Sequence, residues 1–404
     1  MHLDADSFFV SVEVARNPKL RGRPVVTGAE RGIVTAISRE AKSMGVIRAM
    51  PTYQVRKLYP SVIVLPGNYA AYAEASELMF NIVRRYADDV EEYSIDECFA
   101  DLTPMIRPLK MSILEILHAI KKDIRDELSL PASVGLSSTK VLAKIATKAG
   151  KPDGLLVADS PESVERLLRA TPIGAVWGIG RETCRRLSTR SIRTAYDLAV
   201  LSRLQASDFN LHVRNIWNEL SERQVMPIDP SPKTIYGSIM KSRTFRPPTR
   251  DSDFLISELS YHADRACHKA RVHGLKARSF GFFLKTQGFR YIRHESDLRV
   301  PTGEPHEIMR IVRKELQALI QPGETYRACG IMLTSLAPES VISNDLFGAS
   351  EEGSRRAIVY KAVDRLHDKY GHDLIHSAAS LHARKRTKHT SESAQTEKNL
   401  LFMS

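Results

Sequence analysis

The sequence predicts an α+β protein of several domains, built around a ferredoxin-like sheet. Three observations lead there. Between Met1 and Leu136, strand and helix patterns follow one another in the order β-α-β-β-α-β. A second region, 235–340, mixes strands with two helical stretches of its own. Between the two halves, Pro230 and Pro232 mark a linker. A chain of 404 residues has room for roughly two to four such domains.

Each element has its own signal. Residues 1–9 read as a strand that ends in the polar run His2-Leu3-Asp4-Ala5-Asp6-Ser7, and Phe8, Phe9, Val12 and Val14 follow in a short segment. Strands are expected at Pro24–Thr27, Gly32–Ile37 and Val62–Leu65, with a helical stretch after Ser38. These lie in an insertion of residues 12–66 after the first strand. Over Tyr69–Tyr86, Ala71, Ala75, Leu78, Met79, Ile82 and Val83 recur at helical spacing. Val90–Ser94 and Cys98–Leu102 read as two strands that meet at the acidic turn Ile95-Asp96-Glu97. Met111–Leu128 is an amphipathic helix, Ala132–Leu136 a strand, and Ser138–Ala149 a helix stopped by Lys151-Pro152-Asp153-Gly154. This order puts Asp4 and the Asp96-Glu97 turn on neighbouring strands, so carboxylates far apart in sequence meet at one end of the sheet.

Residues 166–230 read as short helices around Val176-Trp177-Gly178-Ile179-Gly180. In the second region, Phe280–Thr286 and Cys329–Leu333 are strands, while 253–272 and 305–320 are helical. A helix is expected at 354–370, stopped by Gly371, and the Ser-, Thr-, Glu- and Lys-rich stretch from Arg384 on fits a disordered tail.

Composition narrows the function. With 43% apolar and 26% charged residues the chain resembles an ordinary globular protein. It contains no apolar run of about 18 residues that could span a membrane. Its start lacks a basic-then-apolar signal pattern, and the expected location is the cytoplasm. Cys98, Cys184, Cys267 and Cys329 form no C-x-x-C pair, which argues against a zinc site and a disulfide framework. A net charge of +12 suits a polyanionic partner.

Asp and Glu are poor strand residues, so Asp4, Asp96 and Glu97 at a sheet end call for a reason. Carboxylates on rigid strands can hold two hard cations about 3.5–4 Å apart, the arrangement that nucleotidyl transfer uses. Read singly, Asp4 also fits a turn or helix cap, and Asp96-Glu97 a solvated hairpin. The joint pattern suits nucleotidyl cyclases as well.

Longer motifs narrow this. Tyr93-Ser94-Ile95-Asp96-Glu97-Cys98-Phe99-Ala100-Asp101-Leu102-Thr103 closely resembles the Y-family translesion DNA polymerases, and Asp4-Ala5-Asp6-Ser7-Phe8-Phe9 is similar to their opening motif. The resemblance runs on through Glu40-Ala41-Lys42, Leu136–Lys144, Lys151-Pro152, Trp177-Gly178-Ile179-Gly180-Arg181, Ser242-Arg243-Thr244-Phe245 and Gly330-Ile331-Met332-Leu333. Some motifs lie nearer the UmuC (polymerase V) branch, whereas Ala49-Met50-Pro51 lies nearer polymerase IV of the DinB branch. Family members usually carry several residues before the His-x-Asp motif, against one here, so the expectation is either a short first strand or a true start that lies upstream.

The resemblance implies an error-prone, template-directed polymerase that extends primers past damaged bases. It implies a ferredoxin-like palm (1–12 and 67–165), fingers (13–66), a helical thumb with a helix-hairpin-helix turn (166–230) and an α+β little finger (235–340). Residues 341–404 would hold a clamp-binding-like motif, a helix and the tail. Asp4, Asp96, Glu97 and the Ala5 carbonyl would bind two Mg²⁺ ions, for which Mn²⁺ could substitute. Phe9 falls on the steric-gate position, where a ring excludes a ribose 2′-hydroxyl, while Phe8 is expected in the core. Lys42, Arg48 and Lys151 would meet the deoxynucleoside triphosphate; Arg39 stands where many members carry Tyr, and Lys144 is expected on a solvated helix face.

Primer-template DNA would be gripped through its phosphates at Gly178, Gly180 and Arg181, where a glycine turn opens a helix N-terminus. Lys241 and Arg243, on one face of a strand, would add to the grip. Leu346 and Phe347, in Ser343-Asn344-Asp345-Leu346-Phe347-Gly348, resemble a sliding-clamp peptide with Ser343 in place of Gln. A UmuD-like accessory dimer and RecA are further partners that the family admits. A non-catalytic polymerase-like DNA adaptor and a nucleotidyl cyclase stand as alternatives.

Overall fold

In the computed structural model, residues 1–231, 236–341, 350–370 and 375–383 are described; Leu346 and Phe347 fall outside them. The chain forms two compact units that divide after Ser231.

The first unit is organised by a five-stranded sheet. Along the chain its strands are β1 (His2–Ala5), β5 (Val90–Glu92), β6 (Glu97–Ala100), β7 (Ala132–Ser137) and β8 (Leu155–Ala158), and in space they run β5-β6-β1-β7-β8. Its first four strands follow the ferredoxin-like order expected from the sequence, with β1 antiparallel to both β6 and β7. β8 adds a parallel edge that the sequence reading did not contain.

The short strand β1 divides its residues cleanly. Leu3 and Ala5 enter the core beneath the helices Tyr69–Val83 and Ile113–Leu128, while His2 and Asp4 face the other way. Ile113–Leu128 opens with a capping box between Ser112 and Glu115 and buries Ile116, Leu117, Ile120 and Ile124 completely. Each such side chain contributes about 1.5–3 kcal/mol of burial free energy. The opposite face of the sheet is covered by the helix Lys140–Gly150, capped by Thr139.

Phe8–Arg16 forms a helix that the sequence reading left unassigned. Its alternating Val10, Val12 and Val14 mimic a strand pattern. Ser7, at φ 49°, turns the chain out of β1, after which Phe8 and Val12 share the core of the five-stranded sheet and Val10 packs with Leu20, Val25 and Ala36. The insertion holds a small sheet of β2 (Val25–Thr27), β3 (Ala36–Ile37) and β4 (Ile63–Leu65), in the order β3-β2-β4. The strand expected over Gly32–Ile37 shrinks to two residues, because Gly32 is left-handed and Ile33 and Val34 bond to the 49–51 segment instead of to β2.

In the second unit β9 (Ser238–Thr249), β10 (Leu275–Thr286), β11 (Tyr291–Thr302) and β12 (Tyr326–Pro338) pair antiparallel in the order β11-β10-β12-β9. The helices Ser252–Val272 and Pro305–Leu319 supply Leu255, Leu259, Ala263, Ile308, Val312 and Leu316 to its core. A further helix, Ser350–Tyr370, follows; its Asp364 accepts hydrogen bonds from Arg271 Nε and Nη2, both at 2.7 Å.

Candidate active site

β1 and β6 pair with Asp4 directly opposite Glu97. The turn before β6 is tight: Tyr93 and Ser94 both donate backbone N–H groups to Glu97 O. Ser94 Oγ donates to Asp96 Oδ1 at 2.5 Å, and Ala5 N donates to Asp96 O at 2.8 Å. Three carboxylates from two distant segments therefore meet at one end of the sheet. A fourth, Asp6, is close by; it accepts from Ser133 Oγ at 2.7 Å and from Asp153 N at 2.6 Å.

Two lysines from the helix Lys140–Gly150 and its exit neutralise this cluster. Lys151 Nζ lies 2.5 Å from Asp4 Oδ1 and 3.5 Å from Asp6 Oδ1. Lys144 Nζ lies 2.8 Å from Glu97 Oε2. Lys144 is thus no solvated cation: its side chain is only 21% exposed and sits among the rings of Tyr93, Phe99 and Trp177. The expectation failed because this helix packs flat on the sheet and turns the Lys144 position toward the acidic end. A cavity of about 330 Å³ opens here, lined by His2, Asp4, Lys144, Lys151 and Trp177 among others.

Burial dominates the electrostatics. It pushes the Asp4 carboxyl up to about 6, against the pull of Lys151 and with Asp96 and Glu97 adding to the rise. Burial also raises Asp96, which Ser94 opposes and Glu97 reinforces. At Glu97, burial is outweighed by contacts from His2 and Lys144, and its carboxyl stays below the ordinary value. Burial works against the Lys151 ammonium, but Asp4 and Asp6 hold it above its usual range. Asp4 and Asp96, raised mainly by burial, stand with Glu97 as a group of carboxylate oxygens, the donor type that suits a hard divalent cation.

Residues 3–148 match the impB/mucB/samB family and residues 237–346 match that family's C-terminal domain. DNA polymerase IV of Desulfatibacillum aliphaticivorans is 30% identical over 383 residues, spanning 94% of this chain and 96% of the relative. The chain belongs to the Y-family DNA polymerases. DNA polymerase IV 1 of Bacillus subtilis (strain 168) is also 30% identical, over 94% of this chain and 92% of its own. Among solved structures, a Y-family polymerase chimera of Dbh and Dpo4 superposes with a TM-score of 0.71 at 22% identity, covering 83% of this chain and 98% of that one. DinB from Sulfolobus solfataricus gives 0.51 at 22% identity, covering 82% and 97%. The polymerase is a DNA-directed enzyme of the translesion class and depends on a divalent metal. The adaptor and cyclase alternatives are set aside.

The other residues that the sequence singled out lie as follows. Phe8 is buried. Phe9, in the first turn of its helix, stacks on Tyr72 at 4.3 Å and meets Tyr69 edge-on at 5.8 Å. Arg48 is exposed and its charge acts on Asp96, whereas Lys42 is exposed at the end of the helix Arg39–Ser43. Gly178 adopts φ +86°, and a Cβ there would meet Ile216 at 2.9 Å, so this position requires glycine. Gly180 precedes the helix Arg181–Ser188, which has no side-chain cap at its N-terminus; Arg181 is exposed. Ahead of the turn stands a single 3₁₀ turn, Ile173–Ala175.

Lys241 and Arg243 do share one face of β9, but it is the face of buried Ile239 and Phe245, against the helices. Arg243 Nη1 lies 3.8 Å from Oε1 of fully buried Glu258. Two-residue alternation was read correctly; which face is covered depends on the helix Ser252–Val272. The open face bears Met240, Ser242 and Thr244 on β9 and, at its far edge, Tyr291 and Arg293 of β11.

Sequence reasoning also missed His2, Asp6 and the Tyr93–Trp177 pair. The period-2 run His2, Asp4, Asp6 could have signalled the first two. Nothing in the sequence signals that Trp177 Nε1 donates to Tyr93 OH at 3.0 Å.

Proposed function

We propose that this polymerase joins deoxynucleoside triphosphates to a primer end at the carboxylate cluster, with Asp4, Asp96, Glu97 and the Ala5 carbonyl holding two Mg²⁺ ions. The single observation that supports it most is the in-register pairing of Asp4 with Glu97, with Asp96 beside them. When bound, such ions activate the primer hydroxyl and neutralise charge on the pyrophosphate. Lys151, now on Asp4 and Asp6, is within reach of a triphosphate once cations satisfy those acids; Arg48 and Lys42 approach from the insertion. Phe9, wedged by Tyr72 and Tyr69, closes the space beside the sugar and selects deoxyribose. Gly178, Gly180 and Arg181 present the uncapped N-terminus of Arg181–Ser188 to a DNA phosphate.

Lys241 and Arg243 fit less well as direct phosphate contacts, and the open face of the second sheet takes that role in this reading. The proposal extends to a sliding clamp bound through Leu346 and Phe347, with a UmuD-like dimer and RecA as accessory factors. It includes a cytoplasmic location, and no described helix is long and apolar enough to cross a membrane.

Primer extension by Asp96→Asn tests the centre. Extension should be abolished while primer-template binding stays within a few-fold, because the acids and the phosphate grip are separate groups. Wild-type extension by the variant would sink the assignment.

A further inference from the structure

Glu97 is held by one oxygen only. Lys144 Nζ contacts Oε2 at 2.8 Å, and His2 Nε2 lies 3.3 Å from the same atom. No partner falls on Oε1 among the described residues. The lysine itself is boxed: its ammonium lies 4.4 Å from the Tyr93 ring centre, 5.1 Å from Trp177 and 5.9 Å from Phe99. The rings brace one another, Tyr93 against Trp177 at 5.1 Å and 84°, Phe99 against Trp177 at 5.6 Å. The Trp177 Nε1–H donates to Tyr93 OH. A cation enclosed by aromatic faces loses rotamer freedom and is attracted to the rings, so its ammonium stays where the rings put it.

We infer that Lys144 is a positioning residue: gripped by Tyr93, Phe99 and Trp177, it pins Oε2 of Glu97 and leaves Oε1 for a metal ion. This rests on the proposed role of Glu97 as a metal ligand. In this arrangement Lys144 acts through the carboxylate it pins. Trp177 gives the box a wall from outside the sheet, next to the Gly178 turn, so the residues that meet DNA and the carboxylate that meets metal share one set of contacts.

The position has a signature that general damage to the fold would not produce. Lys144→Met removes a positive charge beside a metal ligand, so metal should bind more tightly. It also frees Glu97 to rotate, so nucleotide addition should slow. The experiment measures Mn²⁺ binding by electron paramagnetic resonance, single-turnover primer extension at saturating Mg²⁺, and thermal melting, all on the full chain. For Lys144→Met we expect Mn²⁺ bound several-fold more tightly, addition slowed about tenfold or more, and melting within about 2 °C of wild type. Lys144→Arg should recover part of the rate. Trp177→Ala should slow addition without tightening Mn²⁺, since the charge remains.

Addition within twofold of wild type in Lys144→Met, or Mn²⁺ bound no more tightly, would overturn the inference; so would an unchanged rate in Trp177→Ala. Asp96→Asn separates the two levels. If it keeps both Mn²⁺ binding and extension, the metal reading fails; if it loses both while Lys144→Met behaves as wild type, only the role of Lys144 fails.

Discussion

Gly135→Ala should damage the acidic site from beneath the helix Lys140–Gly150, on the same face of the sheet as His2 and Asp4. Gly135 pairs with His2 across β1 and β7 and lies directly under the helix Lys140–Gly150. A Cβ there would stand 2.2 Å from Thr147 N, 2.3 Å from Ala143 O and 2.6 Å from Thr147 Oγ1. Ordinary contact begins near 3.4 Å, so the helix must retreat by about 1 Å, and two of the clashing atoms are backbone that no rotamer change can move. Overpacking usually costs about 1–3 kcal/mol; with backbone on both sides, about 3 kcal/mol or more is expected. The retreat would press Val141, Leu142, Ile145 and Ala146 into the cluster they share with Val164, Leu168, Ile216 and Leu220. It would also pull Thr147 from His2, Lys144 from Glu97 and Lys151 from Asp4. Urea unfolding and primer extension on the same preparation check this: stability should fall, and extension should fall even well below the melting point. A variant that melts and extends like the wild type would refute the packing argument.

Three other outcomes are expected. Phe9→Ala should raise ribonucleotide incorporation about tenfold or more, since the ring stacked on Tyr72 no longer fills the 2′-hydroxyl space; a lower melting temperature with unchanged sugar preference would mark Phe9 as packing only. At Lys241, burial first, then Arg265 and Lys269, push the ammonium down to about 8 from 10.5. Below pH 8 the folded chain carries a charge that it disfavours. Between pH 8 and 10.5 the folded side chain releases its proton while the unfolded one keeps it, so this part of stability rises with pH. Lys241→Met should therefore stabilise the fold at pH 7 by about 1–3 kcal/mol once partial exposure is allowed for, seen as a higher melting temperature, and the gain should shrink toward pH 10; no gain at pH 7 would refute it. Changing Leu346 and Phe347 together to Ala should remove stimulation by a sliding clamp while clamp-free extension persists; equal stimulation would reject the motif.

The sequence by itself determined the order of the elements, the four-strand ferredoxin-like core and the meeting of Asp4 with the Asp96-Glu97 turn. Those follow from local patterns: apolar spacing in Ile113–Leu128, alternation in β1, and acids where strands rarely hold them. Tertiary structure decided three things that such patterns leave open. Phe8–Arg16 became a helix because Ser7 turns the chain and two cores receive its opposite sides, overriding a valine alternation that suits a strand. The second unit repeats the chain order β-α-β-β-α-β yet arranges its strands as β11-β10-β12-β9, and local periodicity carries no information about which strands pair. Lys144 was expected on a solvated helix face, and Lys241 and Arg243 on an open strand face gripping DNA, but a face is open only if nothing packs on it. Helices laid across both sheets cover these three, placing one on Glu97 and the others beside the buried Glu258 and the cations of Ser252–Val272.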